Sequence, residues 1–369
     1  MNLLKSKREE LLEPLQAVTG IIERRHTLPI LSNVLLQRSE SQIDFIATDI
    51  EIEITAHMLA DKTGELKKIT VGARKLLEIL RALPEGAEVA LTLQDKRLQL
   101  KSGKSRFNLQ TLSAEDFPRL VVAESESTVF SVPQKLLKSL IGMVQYAMAQ
   151  QDIRYYLNGL LMVIEEGQLK LVATDGHRLA FASKEAGAKN LARQEVILPR
   201  KTIIELSKLL EDSDEKVAIE LSPAQAKFRF GRVVLISKLV DGKFPDYGRV
   251  IPQNQSKKLK LDRVVLLQAL QRAAILTNDK FRGVRWVLAE GSLKISCSNT
   301  EQEEAQEELD IPYKGESLDI GFNVSYLVDV LNNLDCAEVE CSLGDANSSA
   351  LFTVPGKSDF KYVVMPMRI

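Results

Sequence analysis

The chain has 369 residues, more than a single hydrophobic core usually absorbs, so two or three domains of about 120 residues are expected. With 45% hydrophobic and 27% charged residues it can bury real cores, which excludes a disordered or coiled-coil protein. A net charge of -1 gives no global sign of nucleic-acid binding, so any DNA surface must be a local stripe. Met1 leads into Lys5, Lys7, Arg8 and a run of Glu without an apolar targeting segment, and no apolar run is long enough to span a bilayer. A soluble cytoplasmic protein without a membrane partner is therefore expected. Cys297, Cys336 and Cys341 form no CxxC pair and are too few for a disulfide framework, so they read as small core fillers.

In chain order, apolar residues at helical spacing (Leu11, Leu12, Leu15, Val18, Ile22) predict a helix over 7–25. A β-rich run at 42–54 follows, then a strand turning into a helix over 71–83, the turn Pro84-Glu85-Gly86 and a strand at 88–93. The series then recurs. A helix is predicted over 133–150 on Leu136, Leu137, Leu140, Ile141 and Val144, with strands at 168–173 and 216–221 and a strand-to-helix passage over 198–211 between them. A third round has a helix over 262–277 on Val265, Leu266, Ala269, Leu270 and Ala273, strands at 285–289 and 292–297, and a last strand-to-helix passage over 320–334.

These rounds are internal copies spaced roughly 125 residues apart, and two further markers stay in phase with them. One is Ala47-Thr48-Asp49, Ala173-Thr174-Asp175 and the looser Ser298-Asn299-Thr300; the other closes each unit at Phe117-Pro118, Phe244-Pro245 and Met365-Pro366. Three similar α+β domains, 1–125, 126–253 and 254–369, each with two helices, are the simplest reading. The six helical stretches hold 14 Lys or Arg against 9 Asp or Glu, an excess of five in a chain whose net charge is -1. If these helices line one surface, dispersed cations would face phosphates without reading sequence.

Signals for an enzyme fail one by one. Gly103-Lys104-Ser105 mimics the end of a phosphate-binding loop, but Leu98 stands where that loop needs glycine. No GxGxxG, HExxH, GxSxG or clustered Cys and His ligands occur, so no cofactor or metal is expected. The alternative is a metal-dependent nucleic-acid-processing enzyme using Asp49 and Asp175; their recurrence at equivalent repeat positions instead suggests a turn role.

The most specific stretches are Gln151-Asp152-Ile153-Arg154-Tyr155-Tyr156-Leu157-Asn158-Gly159, Ala173-Thr174-Asp175-Gly176-His177-Arg178-Leu179, the segments 238–247 and 278–285, and the terminus Tyr362-Val363-Val364-Met365-Pro366-Met367-Arg368-Ile369. Over essentially its whole length the chain resembles the β subunit of bacterial DNA polymerase III, the replicative sliding clamp. The resemblance implies two protomers joined head to tail in a ring of six similar domains, helices lining the inside and antiparallel sheets outside. Twelve helices at an interaxial spacing of ~9 Å would enclose a circle on the order of 35 Å, enough for duplex DNA. Such a ring is a non-catalytic processivity factor for DNA replication, partnered by double-stranded DNA, the replicative polymerase, clamp-loader subunits and other clamp-binding repair proteins.

Carried over by motif, DNA contacts would come from Arg25, Gln151, Tyr155 and Tyr156, with Arg24, Arg200 and Lys201 added on charge alone. A hydrophobic partner-peptide pocket maps onto Leu157, Thr174, Gly176, His177, Arg178, Leu179, Pro245, Arg249, Val250, Asn323, Tyr326, Val363, Val364, Met365, Pro366, Met367 and Arg368. Taken alone, the run 363–367 reads as a last core strand. The ring joint would set Phe107, near the basic run Lys96, Arg97, Lys101, Lys104 and Arg106, against Ile275 and Leu276, near the acidic run Glu301, Glu303, Glu304, Glu307 and Glu308.

Overall fold

The order strand, helix, four strands, helix, three strands occurs three times along the chain. We describe residues 2–23, 28–60, 67–94, 96–121, 126–187, 191–278 and 280–368 of a computed structural model. The first round is β1 (Asn2–Lys7), α1 (Arg8–Thr19), β2 (Asn33–Arg38), β3 (Gln42–Thr48), β4 (Ile52–Leu59), β5 (Lys68–Gly72), α2 (Ala73–Ala82), β6 (Glu88–Gln94), β7 (Arg97–Ser102) and β8 (Ser105–Leu112). The second is β9 (Thr128–Pro133), α3 (Gln134–Val144), β10 (Gly159–Glu165), β11 (Gln168–Thr174), β12 (Arg178–Glu185), β13 (Gln194–Pro199), α4 (Arg200–Leu209), β14 (Lys216–Leu221), β15 (Gln225–Phe230) and β16 (Val233–Lys238). A single-turn helix α5 (Tyr247–Val250) precedes the third: β17 (Lys257–Asp262), α6 (Arg263–Ala274), β18 (Gly283–Ala289), β19 (Ser292–Ser298), β20 (Glu304–Asp310), β21 (Leu318–Asn323), α7 (Val324–Asn333), β22 (Glu338–Leu343), β23 (Ala350–Thr353) and β24 (Phe360–Val364).

The long helices are shorter than their apolar patterns suggested, yet still carry 11 basic against 6 acidic residues, so the excess of five survives. Helix α3 shows why they shorten. Its apolar face ends at Val144, whose φ of -128° leaves the helical region, and the chain continues as a 3-10 turn at Gln145–Ala147.

Within each round the first strands change places. β1 pairs with β6 and β5 with β2, β9 with β14 and β13 with β10, and β17 with β22 and β21 with β18, all antiparallel. The strands are half-buried alternations, as in β14 and β15, or nearly continuous apolar runs, as in β10.

By contacts the chain divides into two compact units that cut through the middle repeat. The unit of residues 1–135 and 201–239 holds a 12-stranded sheet in the order β1-β6-β7-β8-β5-β2-β3-β4-β16-β15-β14-β9. There α1 buries Leu11, Pro14, Leu15 and Val18 as it packs on α2, β3 and β4. The unit of residues 136–200 and 240–369 holds an 8-stranded sheet, β13-β10-β11-β12-β24-β23-β22-β17, and a 4-stranded one, β20-β19-β18-β21. Its α6 and α7 pack together, and Trp286 lies fully buried edge-on to Phe322 and Phe352. Cys297 and Cys341 fill core positions, whereas Cys336 is only half-buried. Among the described residues no helix is long and apolar enough to cross a membrane.

Candidate functional site

The three-residue marker that repeats through the sequence is a turn. Thr174 Oγ1 donates to the Arg178 carbonyl and accepts from Gly176 N–H, while Asp175 Oδ1 accepts from the amides of His177 and Arg178 at 2.9 and 3.0 Å. Asp49 does the same for Glu51 and Ile52, and Asn299 for Glu301 and Glu303. A carboxylate or amide oxygen that accepts two backbone amides locks the turn between paired strands. Asp49 and Asp175 thus serve the backbone, and among the described residues no group of acidic, His or Cys side chains is placed to hold a metal.

In the second turn Gly176 has φ +89°, a left-handed conformation that favours glycine, and the Arg154 guanidinium lies so close that a Cβ there would come within 2.8 Å of it and make it shift. Arg178 begins β12 and is largely enclosed. Its Nε meets Asp175 at 3.1 Å, Nη1 meets Asp329 of α7 at 2.5 Å, and Nη2 donates to the Tyr146 carbonyl at 2.6 Å. The guanidinium also lies 4.5 Å from the Tyr326 ring centre. Two carboxylates and a carbonyl accept from it, so the guanidinium is held in place from three sides. Its work is to pin α7 and the 3-10 turn to the head of β12.

The terminal strand is fixed in the same way. Leu179 pairs with Val363, Met365 N–H donates to the His177 carbonyl, and Met367 N–H donates to the Gly321 carbonyl. The Tyr362 hydroxyl donates to the Tyr326 carbonyl at 2.9 Å, and burial pushes its pKa up, keeping the donor protonated. Val363 and Val364 are core residues at 1% and 0% exposure, so among the described residues from Val363 onward only Met365, Pro366, Met367 and Arg368 offer surface. Beneath lies an apolar cluster of Leu161, Val163, Val172, Leu179, Ile197, Phe244 and Val363, with Tyr156, Val240, Tyr247 and Ile251 packed against it.

The structure therefore brings Thr174, Gly176, His177, Arg178, Leu179, Val363 to Met367 and Tyr326 around the joined ends of β12 and β24. Leu157 is buried in a 3-10 turn. Asn323 caps α7 through Ser325 N–H, and Pro245, Arg249 and Val250 are exposed around α5. Arg249 pairs with Asp246, its nearest carboxylate, at 3.0 Å.

The loop bearing the aromatic pair is equally tied down. Gln151 takes a left-handed φ of 57°; Asp152 N–H then donates to Asn158 Oδ1, and Asn158 Nδ2 donates back to the Asp152 carbonyl. Arg154 grips Asp152 with its backbone N–H, Nε and Nη2, and those bonds, the side-chain one foremost, lower the Asp152 pKa to about 2. Tyr155 and Ile153 project at 59% and 95% exposure, whereas Tyr156 leans on the apolar cluster. Gly242, φ +118°, sits so close that a Cβ would touch Tyr156 at 3.6 Å.

Two residues chosen on charge alone are engaged elsewhere. Lys201 pairs with Glu23 at 2.8 Å and with Asp49, and Arg200 donates to the Met148 carbonyl. Arg24 and Arg25 lie outside the described residues. For the joint, Phe107 is half-buried on β8, Ile275 is 76% exposed just after α6, and Leu276 is half-buried.

Comparison with known proteins decides what these parts belong to. Residues 2–121, 131–246 and 248–368 match the N-terminal, central and C-terminal domains of the DNA polymerase III beta subunit. The chain belongs to that family. It is 47% identical to the beta sliding clamps of Pseudomonas putida and Escherichia coli, each over 363 residues covering 98% of this chain and 99% of the relative. The crystal structure of the DNA polymerase III subunit beta from Pseudomonas aeruginosa superposes with a TM-score of 0.96 at 46% identity, covering all of both chains; the Caulobacter crescentus pol III beta does so at 0.92 and 40%, again over both whole chains. As a DNA polymerase III beta subunit it is a replication processivity factor and not a catalyst, and nothing supports the metal-dependent alternative.

Proposed function

We propose that two copies of this chain close head to tail around duplex DNA and hold the replicative polymerase through the pocket at the β12 and β24 ends. One observation carries the closure. In each round the last strand of the first half (β4, β12, β20) and of the second half (β8, β16, β24) are topologically equivalent, and they join between successive rounds: β4 with β16, and β12 with β24. By the same rule β20 should take β8 of a second copy. Among the described residues both are free to do so: β20 pairs with β19 alone, and β8 touches β5 only at Leu112 and Thr111, leaving its outer edge from Ser105 onward open. The basic run around β8 faces a partner strand whose acidic run is only partly offset, by Arg272 on Glu307 and Lys294 on Glu308.

Repeat domains 1–125, 126–253 and 254–369 are then the six building blocks of the dimer. The helix charge excess, with Gln151, Tyr155 and Tyr156 and with Arg24 and Arg25, contacts phosphates without reading bases. Arg200 and Lys201 are secondary contacts, since each already has a partner. Met365 and Met367 suit a pocket that accepts the polymerase, clamp-loader subunits and repair proteins in turn, and the protein works in the cytoplasm with the replicating DNA. After loading onto nicked circular DNA, it should survive dilution and be lost when the circle is cut; equal retention on linear DNA with free ends overturns the ring.

A further inference from the structure

Beside the pocket, on the same face of the 8-stranded sheet, lies a groove of about 480 Å³ lined by Phe181, Tyr247, Ile251, Leu351, Lys170 and Lys361. We propose that this groove receives the acidic flank of the partner peptide whose anchor sits in the pocket, an inference that rests on the pocket reading above.

Strand register makes the two sites continuous. Thr174, Leu179, Val363 and Leu351 stand opposite one another across β11, β12, β24 and β23, forming one rung of the sheet face. The next rung on that face is Val172, Phe181 and Lys361, and Lys170 follows on β11. Side chains of one face recur every second residue, so the groove begins ~7 Å from the pocket, about the reach of two residues of extended peptide. Phe181, Tyr247, Ile251 and Leu351 also pack on the same apolar cluster as Leu179 and Val363, so pocket and groove share one foundation.

The chemistry of the groove selects the flank. Phe181 and Tyr247 stack at 5.8 Å with an interplanar angle of 29°, a half-buried aromatic wall. The Lys361 ammonium lies 5.9 Å from the Phe181 ring centre and forms no ion pair among the described residues. Lys170, by contrast, is already held by Glu165 at 2.8 Å. An unpaired cation above an aromatic floor is complementary to a carboxylate whose methylenes rest on the rings, so the occupant is an Asp- or Glu-bearing segment of the partner, extended along the strand direction.

Three synthetic peptides test this: a short one with a Gln and Leu and Phe anchors, and the same peptide extended by an Asp-Glu pair at one end or at the other, each titrated by fluorescence anisotropy against the full chain. Extension at one end should tighten binding about two- to fivefold for each acid that reaches Lys361, as for a half-exposed ion pair. Lys361→Glu should abolish that gain while the short peptide binds as before, and Phe181→Ala should reduce it. Neither extension improving on the short peptide, or a gain that persists in Lys361→Glu, overturns the groove and leaves the pocket standing. Failure of the short peptide itself overturns the pocket reading, and the groove with it.

Discussion

Truncating Ile275 and Leu276 to alanine should separate the ring into folded monomers. A fully buried isoleucine contributes about 1.5–3 kcal/mol. Ile275 is 76% exposed in the single chain, so nearly all of that gain is still to be made on assembly, and alanine forfeits about 1 kcal/mol of it at each joint. Leu276 is half-buried and contributes about half as much. A closed ring has two identical joints, so the losses double to about 3 kcal/mol, on the order of 100-fold in the dissociation constant. Sedimentation velocity across a concentration series should show the double variant dissociating in the low micromolar range where the parent stays dimeric. Its thermal unfolding should change little, because the residues removed are outside the core; Ile295→Ala, which opens a fully buried site, should instead lower the melting temperature. A dissociation constant within threefold of the parent would remove these residues from the joint.

Deleting Met365 to Ile369 removes the surface-bearing part of the terminal run but neither Val363 nor Val364, so the chain should stay folded and dimeric by circular dichroism and sedimentation while losing a polymerase-derived peptide; wild-type affinity would reduce the tail to strand packing. The carboxylate of Asp152 is held below its unfolded value of about 3.9, so its contribution to the loop is complete above that pH and lost as pH falls through about 2. An NMR titration of the Asp152 carboxyl should show a midpoint near 2; an ordinary midpoint would mean that the Arg154 grip is absent in solution.

The repeat was legible because its signals are local. A Thr and an Asp at one spacing make the same turn at 48–49 and 174–175, and a strand running into an apolar-faced helix announces itself wherever it occurs. What the sequence hid was partnership. No periodicity says that β4 will meet β16 across nearly two hundred residues, because alternation fixes which face a strand buries and not which strand it joins. Ion-pair partners are hidden for the same reason: nothing local in the sequence says that the fold will deliver Asp329 to Arg178, or Glu23 and Asp49 to Lys201. Val363 and Val364 show the reverse case, where an apolar run read alone as a core strand is one.

The exchange of first strands governs how this protein can be made. As β1 leaves the ribosome it has no partner, since Lys7 pairs with Glu88, 81 positions later. β9 must wait for β14 and β17 for β22 in the same way. No half of a repeat can finish its own sheet, so the smallest piece able to fold during synthesis is a whole round, and β4 stays an open edge until β16 arrives a full round later. Nascent chains should therefore gain protease resistance in a few large steps, and a pause within a round would expose unpaired strand edges to neighbouring chains.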